Sequence, residues 1–164
     1  MNIIIANLIG IFALIISLLI FQASNFKKMI IRQIIYSLLM IIEYLLLGAY
    51  IALFASFIAL IRSIIFYHYK RNDRVVPNYI LFVLIAIMLY IQTKTYVDIF
   101  SLIPLVIFIL ITIKMQTKKI LRFKKYCILF SILWIIYNLH VKAYVAAVSS
   151  FLDIMSIIYS LSKH

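Results

Sequence analysis

The chain has 164 residues and is 68% hydrophobic, with a net charge of +12 and four acidic residues. Soluble domains are nearer half apolar, so this composition excludes a water-soluble globular fold and predicts an all-α integral membrane protein. The basic residues lie between apolar segments, which is typical of membrane topology and anionic lipid contact and argues against nucleic acid as a partner. Cys127 is the single cysteine, which excludes a disulfide framework and a multi-cysteine metal site.

The first half of the chain predicts three membrane-spanning helices. Residues 3–21 form a retained first span, because they lack the basic start and the small-residue cleavage site of a signal peptide. The second span covers residues 29–47 and contains Glu43. The third span covers residues 50–67, with Arg62 near its end.

Four further apolar runs follow, and we predict them to be the fourth to seventh spans: residues 78–92, 97–113, 126–139 and 143–161. The fourth run is short for a membrane helix. The fifth run contains Pro104. A basic connector, Lys114 through Lys125, separates the fifth and sixth spans.

The distribution of charge between the connectors decides the number of spans. With seven spans, one face receives only Lys94 and Lys142, and the other collects Lys27, Lys28, Arg32, Lys70, Arg71, Arg74, the basic residues of the Lys114–Lys125 connector and Lys163. Without the fourth span, the basic residues that precede it and those of the Lys114–Lys125 connector would lie on opposite faces of the membrane. Positively charged loops stay cytoplasmic, so we expect the N-terminus outside and the C-terminus in the cytoplasm.

The chain also repeats itself with an offset of 94 residues and no gap. The polar, small and aromatic matches are Gln22 with Gln116, Ser37 with Ser131, Ala49 with Ala143, Tyr50 with Tyr144, Ala52 with Ala146, Ser56 with Ser150 and Phe57 with Phe151. Each copy holds three helices, and one extra helix between them makes the copies parallel. We therefore predict two three-helix repeats, residues 1–67 and 97–164, joined by a linker helix at 75–93. Parallel repeats enclose a site at their interface near the membrane midplane.

Short motifs in this arrangement resemble the YgjV-type family of bacterial inner-membrane proteins, which is similar to the SWEET and PQ-loop superfamily. The motifs are Tyr36-Ser37, Leu46-Leu47-Gly48, Ala59 to Arg62, Pro104, Trp134 to Asn138 and Ser150 to Leu152. The resemblance implies a seven-helix fold of three, one and three helices, the bacterial inner membrane, and passive transport of a small solute. SWEET-like carriers tend to have a polar residue, often Asn, where this chain has Ala59 and Asp153. Pro104 matches the helix-kinking proline of that superfamily, but its counterpart in the first repeat is Gly10, so the resemblance implies a kink at Pro104 alone. Sugar specificity is therefore not implied.

Three residues of the second repeat are candidate solute contacts. Asp153 lies near the middle of the seventh span, where a charged carboxylate costs about 2.5 to 3.5 kcal/mol. Such residues usually face the bundle interior and are functional candidates, although a protonated acid or an interhelical hydrogen bond is the structural alternative. Trp134 and Asn138 are one turn apart and share a helix face, which suits a polar solute. An interfacial tryptophan and an asparagine that joins helices are the alternatives.

Glu43 and Arg62 are the candidates in the first repeat. Glu43 lies about a turn from the outer end of its helix, which is compatible with a solute or proton role or with a solvated mouth. Arg62 lies about a turn from the cytoplasmic end, where snorkelling is favoured over substrate contact, and it is also a candidate partner for Asp153. The three histidines show no metal-ligand spacing, and we expect neither a metal nor a cofactor.

The sequence leaves two classes of function open. It contains no nucleophile–base arrangement, phosphate loop or carboxylate pair at catalytic spacing, so we do not expect an enzyme. The first hypothesis is a facilitator or exporter of a small solute that works by rocking of two bundles around a midplane site. The second is a non-transporting scaffold or regulatory subunit. Homo-oligomerisation is compatible with both hypotheses.

Overall fold

The structure is a computed structural model that describes residues 2–47, 50–95, 99–117, 119–140 and 144–163. Residues that enter the sequence predictions but lie outside these ranges are Gly48, Ala49, Lys118, Lys142, Ala143 and His164. The described residues contain α-helices and one short 3-10 helix, Ile99–Ser101, and no strand. The α-helices are α1 (Asn2–Phe21), α2 (Phe26–Leu47), α3 (Tyr50–Arg71), α4 (Asn78–Thr95), α5 (Leu102–Lys114), α6 (Ile120–His140) and α7 (Tyr144–Ser162). The all-α prediction is confirmed for this part of the chain.

Each predicted span overlaps an α-helix, but α5 begins at Leu102 and not at residue 97, and α6 begins well before its apolar run. The sixth span was expected from residue 126, whereas α6 begins at Ile120. Arg122, Lys124 and Lys125 therefore lie on a helix and not in an extended connector. Lysine and arginine have high helix propensity, so a change from apolar to basic sequence does not end a helix.

By length and composition alone, two helical segments of the described residues are long and apolar enough to cross a membrane: Phe26–Leu46 and Leu53–Arg71. The shorter apolar helical segments are Leu8–Phe21, Asn78–Lys94, Leu102–Lys114 and Ala147–Ser162. Seven spans in an order of three, one and three thus stay a prediction.

The chain divides into two compact units, Met1–Val76 and Pro77–His164. In the first unit, α2 contacts both α1 and α3. In the second unit, α4 contacts α5, α5 contacts α6, and α6 contacts α7. The predicted linker helix, α4, is thus grouped with the helices that follow it.

Small residues form the face of α1 that is turned inwards. Ala6, Gly10, Ala13 and Ser17 follow one another at helical spacing, and all but the half-buried Gly10 are buried. The opposite face exposes large apolar side chains, among them Leu8, Phe12, Ile15 and Leu19. Small residues allow α2 to approach closely, and an apolar outer face suits contact with lipid.

The end of α3 is closed by a left-handed residue and lies beside the start of α2. Asp73 has a φ of 52° and its N–H donates to the carbonyl of Lys70 at 3.3 Å. The N–H of Arg74 donates to the carbonyl of Tyr69 at 2.9 Å, which completes a Schellman-type cap. The Lys70 ammonium lies 4.7 Å from the centre of the Phe26 ring, so the two helix ends are neighbours.

Pro104 is the third residue of α5, and α5 follows directly on the 3-10 helix. In a first helical turn a proline gives up no intrahelical hydrogen bond, because the N–H groups there have no partner within the helix. A kink within a longer fifth span would lie near the point where the 3-10 helix is followed by α5. The kink stays a prediction. Near this point the Phe100 ring stacks on His140, the last residue of α6, at 3.9 Å.

Candidate functional site

Two hydrogen bonds between buried side chains join α6 to α7 within the second unit. Asn138 Nδ2 donates to Ser150 Oγ at 3.4 Å, near the end of α6 and the start of α7. Lys124 Nζ donates to Ser160 Oγ at 2.6 Å, near the start of α6 and the end of α7. The two bonds fix the antiparallel register of the helix pair.

The buried polar side chains of both helices, together with the half-buried Asp153, lie on one face of each helix through helical periodicity. On α6 they recur every seven residues, which holds them on one side of the helix. On α7 they are separated by one or two turns. We call the set the polar seam: Lys124, Ser131 and Asn138 on α6, and Ser150, Asp153 and Ser160 on α7. All are buried except Asp153, which is half-buried.

The structure places three predicted site residues within about two helical turns on this helix pair. Asp153 lies one turn after Ser150, and Trp134 lies one turn before Asn138. The register set by the Asn138–Ser150 bond therefore places Asp153 level with Trp134. The Trp134 ring is half-buried and packs edge-to-face against Tyr137 at 5.7 Å. The arrangement offers an indole ring, an amide, a hydroxyl and a carboxyl group within about two helical turns.

Glu43 lies in the first unit, against the small-residue face of α1. A Cβ atom placed on Gly10 would be 2.9 Å from Glu43 Oε1 and 3.3 Å from its Cδ. The half-buried carboxyl group of Glu43 thus occupies space that glycine leaves open. Any residue with a Cβ atom at position 10, whether alanine, serine or asparagine, would fill that space.

Arg62 also lies in the first unit, but it is not beside Glu43. The Lys70–Phe26 contact fixes the register of α2 and α3, and by that register the two residues are about 13 Å apart along the helices. The Arg62 side chain is 3% exposed. Burial of this kind favours a role inside the protein over the predicted snorkelling to water. The predicted pairing of Arg62 with Asp153 joins residues of different units and stays a prediction.

Sequence reasoning missed Lys124, Ser160 and Gly10 as parts of the candidate site. Lys124 was counted with the cytoplasmic connector, although its side chain is 1% exposed. Its signal is spacing, because Lys124, Ser131 and Asn138 form a seven-residue repeat. Ser160 likewise follows Asp153 by seven residues.

The polar seam can bind and orient a polar molecule, because it combines hydrogen-bond donors and acceptors with a cationic and an acidic side chain. Within the described residues, no group of three or more His, Cys, Asp or Glu side chains is placed to hold a metal ion. Cys127 is buried and lies one turn from Lys124.

A family model described as bacterial inner membrane protein, Imp-YgjV, matches residues 4–164. No curated protein and no solved structure matches the chain.

Proposed function

Since the chain belongs to the Imp-YgjV family of bacterial inner membrane proteins, we propose that it is a seven-span carrier that moves a small polar solute across that membrane. The observation that carries the proposal is the polar seam between α6 and α7. In this proposal Trp134, Asn138 and Asp153 contact the solute. Asn138 is held by Ser150, and Asp153 supplies an acidic group for a proton or a cationic part of the solute.

The high free-energy cost of placing polar groups inside a membrane protein favours a functional role for the polar seam. An aspartate at the centre of a membrane helix, the position of Asp153 in α7, costs about 2.5 to 3.5 kcal/mol by insertion scales. Such residues face the bundle interior and mark solute, ion or proton paths. A seam that combines Lys124 with Asp153 and two interhelical hydrogen bonds therefore favours a carrier over a purely apolar scaffold.

The proposed topology has seven spans, with the N-terminus outside and the C-terminus in the cytoplasm. Support comes from helix length, because every helix except α5 has 18 to 22 residues. About 20 residues are needed to cross the hydrocarbon core. The helix α5 has 13 residues and is preceded by the 3-10 helix. The basic residues of the connectors support the orientation.

We also propose that the two halves are duplicated three-helix repeats, as in the SWEET and PQ-loop proteins that the sequence resembles. Support comes from burial at positions 94 residues apart. Ser37 and Ser131 are both buried, as are Ala13 and Ile107, Met29 and Phe123, and Ser63 and Ile157. If the two repeats kept their packing and diverged in function, equivalent positions should be equally buried even where their side chains differ in chemistry.

The alternative function is a non-transporting scaffold or regulatory subunit. The Asn138–Ser150 bond is compatible with it, because interhelical hydrogen bonds also hold membrane helices together. A scaffold needs no catalytic group and no solute. We propose no enzymatic activity in either case, and the proposed partners are the lipid bilayer and, for the carrier, the solute.

Uptake and efflux in liposomes test the carrier proposal. The purified protein is reconstituted and assayed with sugars, amino acids and organic cations against protein-free liposomes. We expect at least one of these classes to equilibrate faster with the protein, and more slowly with Asn138→Ala. Equal rates in protein-containing and protein-free liposomes for every class would contradict transport of these solutes and favour the scaffold.

A further inference from the structure

We propose that exposed cations at one end of the first unit bind the headgroup of an anionic phospholipid, whose acyl chains lie along α2 and α3. The cations are Lys27 and Lys28 in the first turn of α2, Arg71 at the end of α3, and Arg74 just beyond it. All four side chains are exposed, and we call the set the basic end. The basic end lies outside the polar seam, so lipid binding there does not depend on solute transport.

The fold brings together two segments that are far apart in the sequence. Lys70 Nζ lies 4.7 Å from the centre of the Phe26 ring, so the start of α2 and the end of α3 are neighbours. The N–H of Arg74 donates to the carbonyl of Tyr69 at 2.9 Å, which turns the chain back towards the last turn of α3. Lysine and arginine side chains are long and flexible, so cations from both segments can reach the same headgroup.

Below the basic end, α2 and α3 each have an exposed apolar stripe. On α2 the stripe begins one turn after the two lysines, at helical spacing: Ile31, Ile35, Leu38, Ile42 and Leu45. On α3 it precedes Arg71: Phe54, Phe57, Ile61 and Ile64. A phospholipid has the same order of groups, with a charged headgroup at one end and apolar chains along its length. Each stripe therefore suits an acyl chain whose headgroup lies at the basic end.

The position of the basic end relative to the bilayer supports a lipid as the ligand. The two segments of the described residues that are long and apolar enough to cross a membrane are Phe26–Leu46 and Leu53–Arg71. One begins and the other ends at the basic end, which places these cations at a membrane surface. Asp73 is exposed beside them, and the four cations outnumber it. In the proposed topology this surface is cytoplasmic, where anionic lipids attract lysine and arginine.

Helix stability does not account for the two lysines of α2. Lys27 and Lys28 lie beside the positive end of the helix macrodipole, where a cation is unfavourable. The cap of the helix is formed by Asn25, whose Oδ1 accepts from the N–H of Lys28 at 2.9 Å. An anionic headgroup offsets the repulsion between the lysines and the macrodipole. Glutamine in place of either lysine should therefore leave the helix intact.

The test measures lipid binding to the purified protein in detergent by native mass spectrometry. Phosphatidylglycerol and phosphatidylcholine with the same acyl chains are added separately, so that the two lipids differ in headgroup charge. Each lysine or arginine near an anionic lipid should contribute about fivefold to the affinity. We therefore expect the wild type to bind phosphatidylglycerol at least about tenfold more tightly than phosphatidylcholine.

Single substitutions connect this preference to the basic end. Lys28→Gln should lower the affinity for phosphatidylglycerol about fivefold and leave the affinity for phosphatidylcholine unchanged. Lys94→Gln is the matched control, because Lys94 is an exposed lysine in the last turn of α4, outside the basic end. It should keep the wild-type affinity. Melting temperature shows whether the variants fold, and Arg71→Gln is the second variant if Lys28→Gln melts much lower.

Three results would overturn the lipid site. The first is equal binding of the two lipids by the wild type, or the same loss of affinity in Lys94→Gln as in Lys28→Gln. The second is displacement of phosphatidylglycerol by an equal concentration of glycerol phosphate, which has the charge but no acyl chains. That result would show that the cations bind free phosphate. The third is a dimer that binds both lipids equally, which would show that a second copy covers the apolar stripes.

Discussion

A Cβ atom on Gly10 would lie 2.9 Å from Oε1 of Glu43, so a carboxylate of α2 fills the gap that glycine leaves on α1. Real side chains do not approach this closely, and any larger residue at position 10 must displace the carboxyl group. Glutamate has a flexible side chain, so displacement is easier than a shift of the helices. Gly10 therefore controls where Glu43 lies.

Gly10→Ala should change stability little in the wild-type background. Alanine in a helix interior is better than glycine by about 1 kcal/mol, and displacement of Glu43 offsets this gain. In a Glu43→Ala background the offset disappears, so Gly10→Ala should stabilise by about 1 kcal/mol. Unfolding in detergent measures both effects in a double-mutant cycle. The same effect of Gly10→Ala in both backgrounds would show that the two residues are not coupled.

Asp153→Asn separates a functional from a structural aspartate. It keeps the size and the hydrogen-bonding capacity of the side chain and removes the charge. We expect expression and melting temperature to change little, and the response of solute flux to an imposed pH gradient or to the charge of the solute to be lost. The control is the double variant Asp153→Asn/Arg62→Gln. If Asp153→Asn destabilises strongly and the double variant recovers the melting temperature, Asp153 is a structural partner of Arg62.

Asp73→Gly should stabilise the protein by up to about 1 kcal/mol, because the left-handed conformation at the end of α3 is unfavourable for residues with a Cβ atom. The φ of Asp73 is 52°, which glycine adopts without strain. Thermal unfolding measures the change, and Asn72→Gly at the neighbouring position is the control. A gain with Asn72→Gly but none with Asp73→Gly would contradict the cap described for α3.

The helices could be predicted from the sequence, because apolar runs of membrane length and basic connectors leave strong signals. The start of α6 could not, since the basic residues from Arg122 onwards are good helix formers and continue the helix beyond its apolar part. Composition assigned Lys124 to a solvated connector. Its burial depends on the register between α6 and α7, which only the packed pair of helices fixes.

Only part of the candidate site could be predicted from the sequence, because the rest depends on how the helices pack against one another. Spacing along one helix predicts that Trp134 and Asn138 share a face, and this needs no tertiary information. Their place beside Asp153 depends on the Asn138–Ser150 bond between helices. Glu43 and Arg62 lie on adjacent helices of the first unit at different levels, as expected from their positions near opposite ends of the second and third spans.

Cysteine labelling tests the seven-span topology. In a Cys127→Ala background, Asp73→Cys, Lys119→Cys and Lys94→Cys each replace an exposed residue. A membrane-impermeant maleimide should label positions 73 and 119 from the cytoplasmic side and position 94 from the outside. Labelling of positions 73 and 119 from opposite sides would show that the fourth helix does not span or that another span is missing.

The most direct measurement of the carrier proposal is solute flux through Asn138→Leu/Ser150→Ala, with its melting temperature measured alongside. Replacement of both partners of a buried hydrogen bond by apolar groups is nearly neutral for stability, so the variant should fold like the wild type. If the polar seam contacts the solute, flux should fall by about tenfold or more, as the loss of about 1.4 kcal/mol of transition-state stabilisation implies. Wild-type flux in a folded variant would contradict the account and leave the polar seam with a structural role alone.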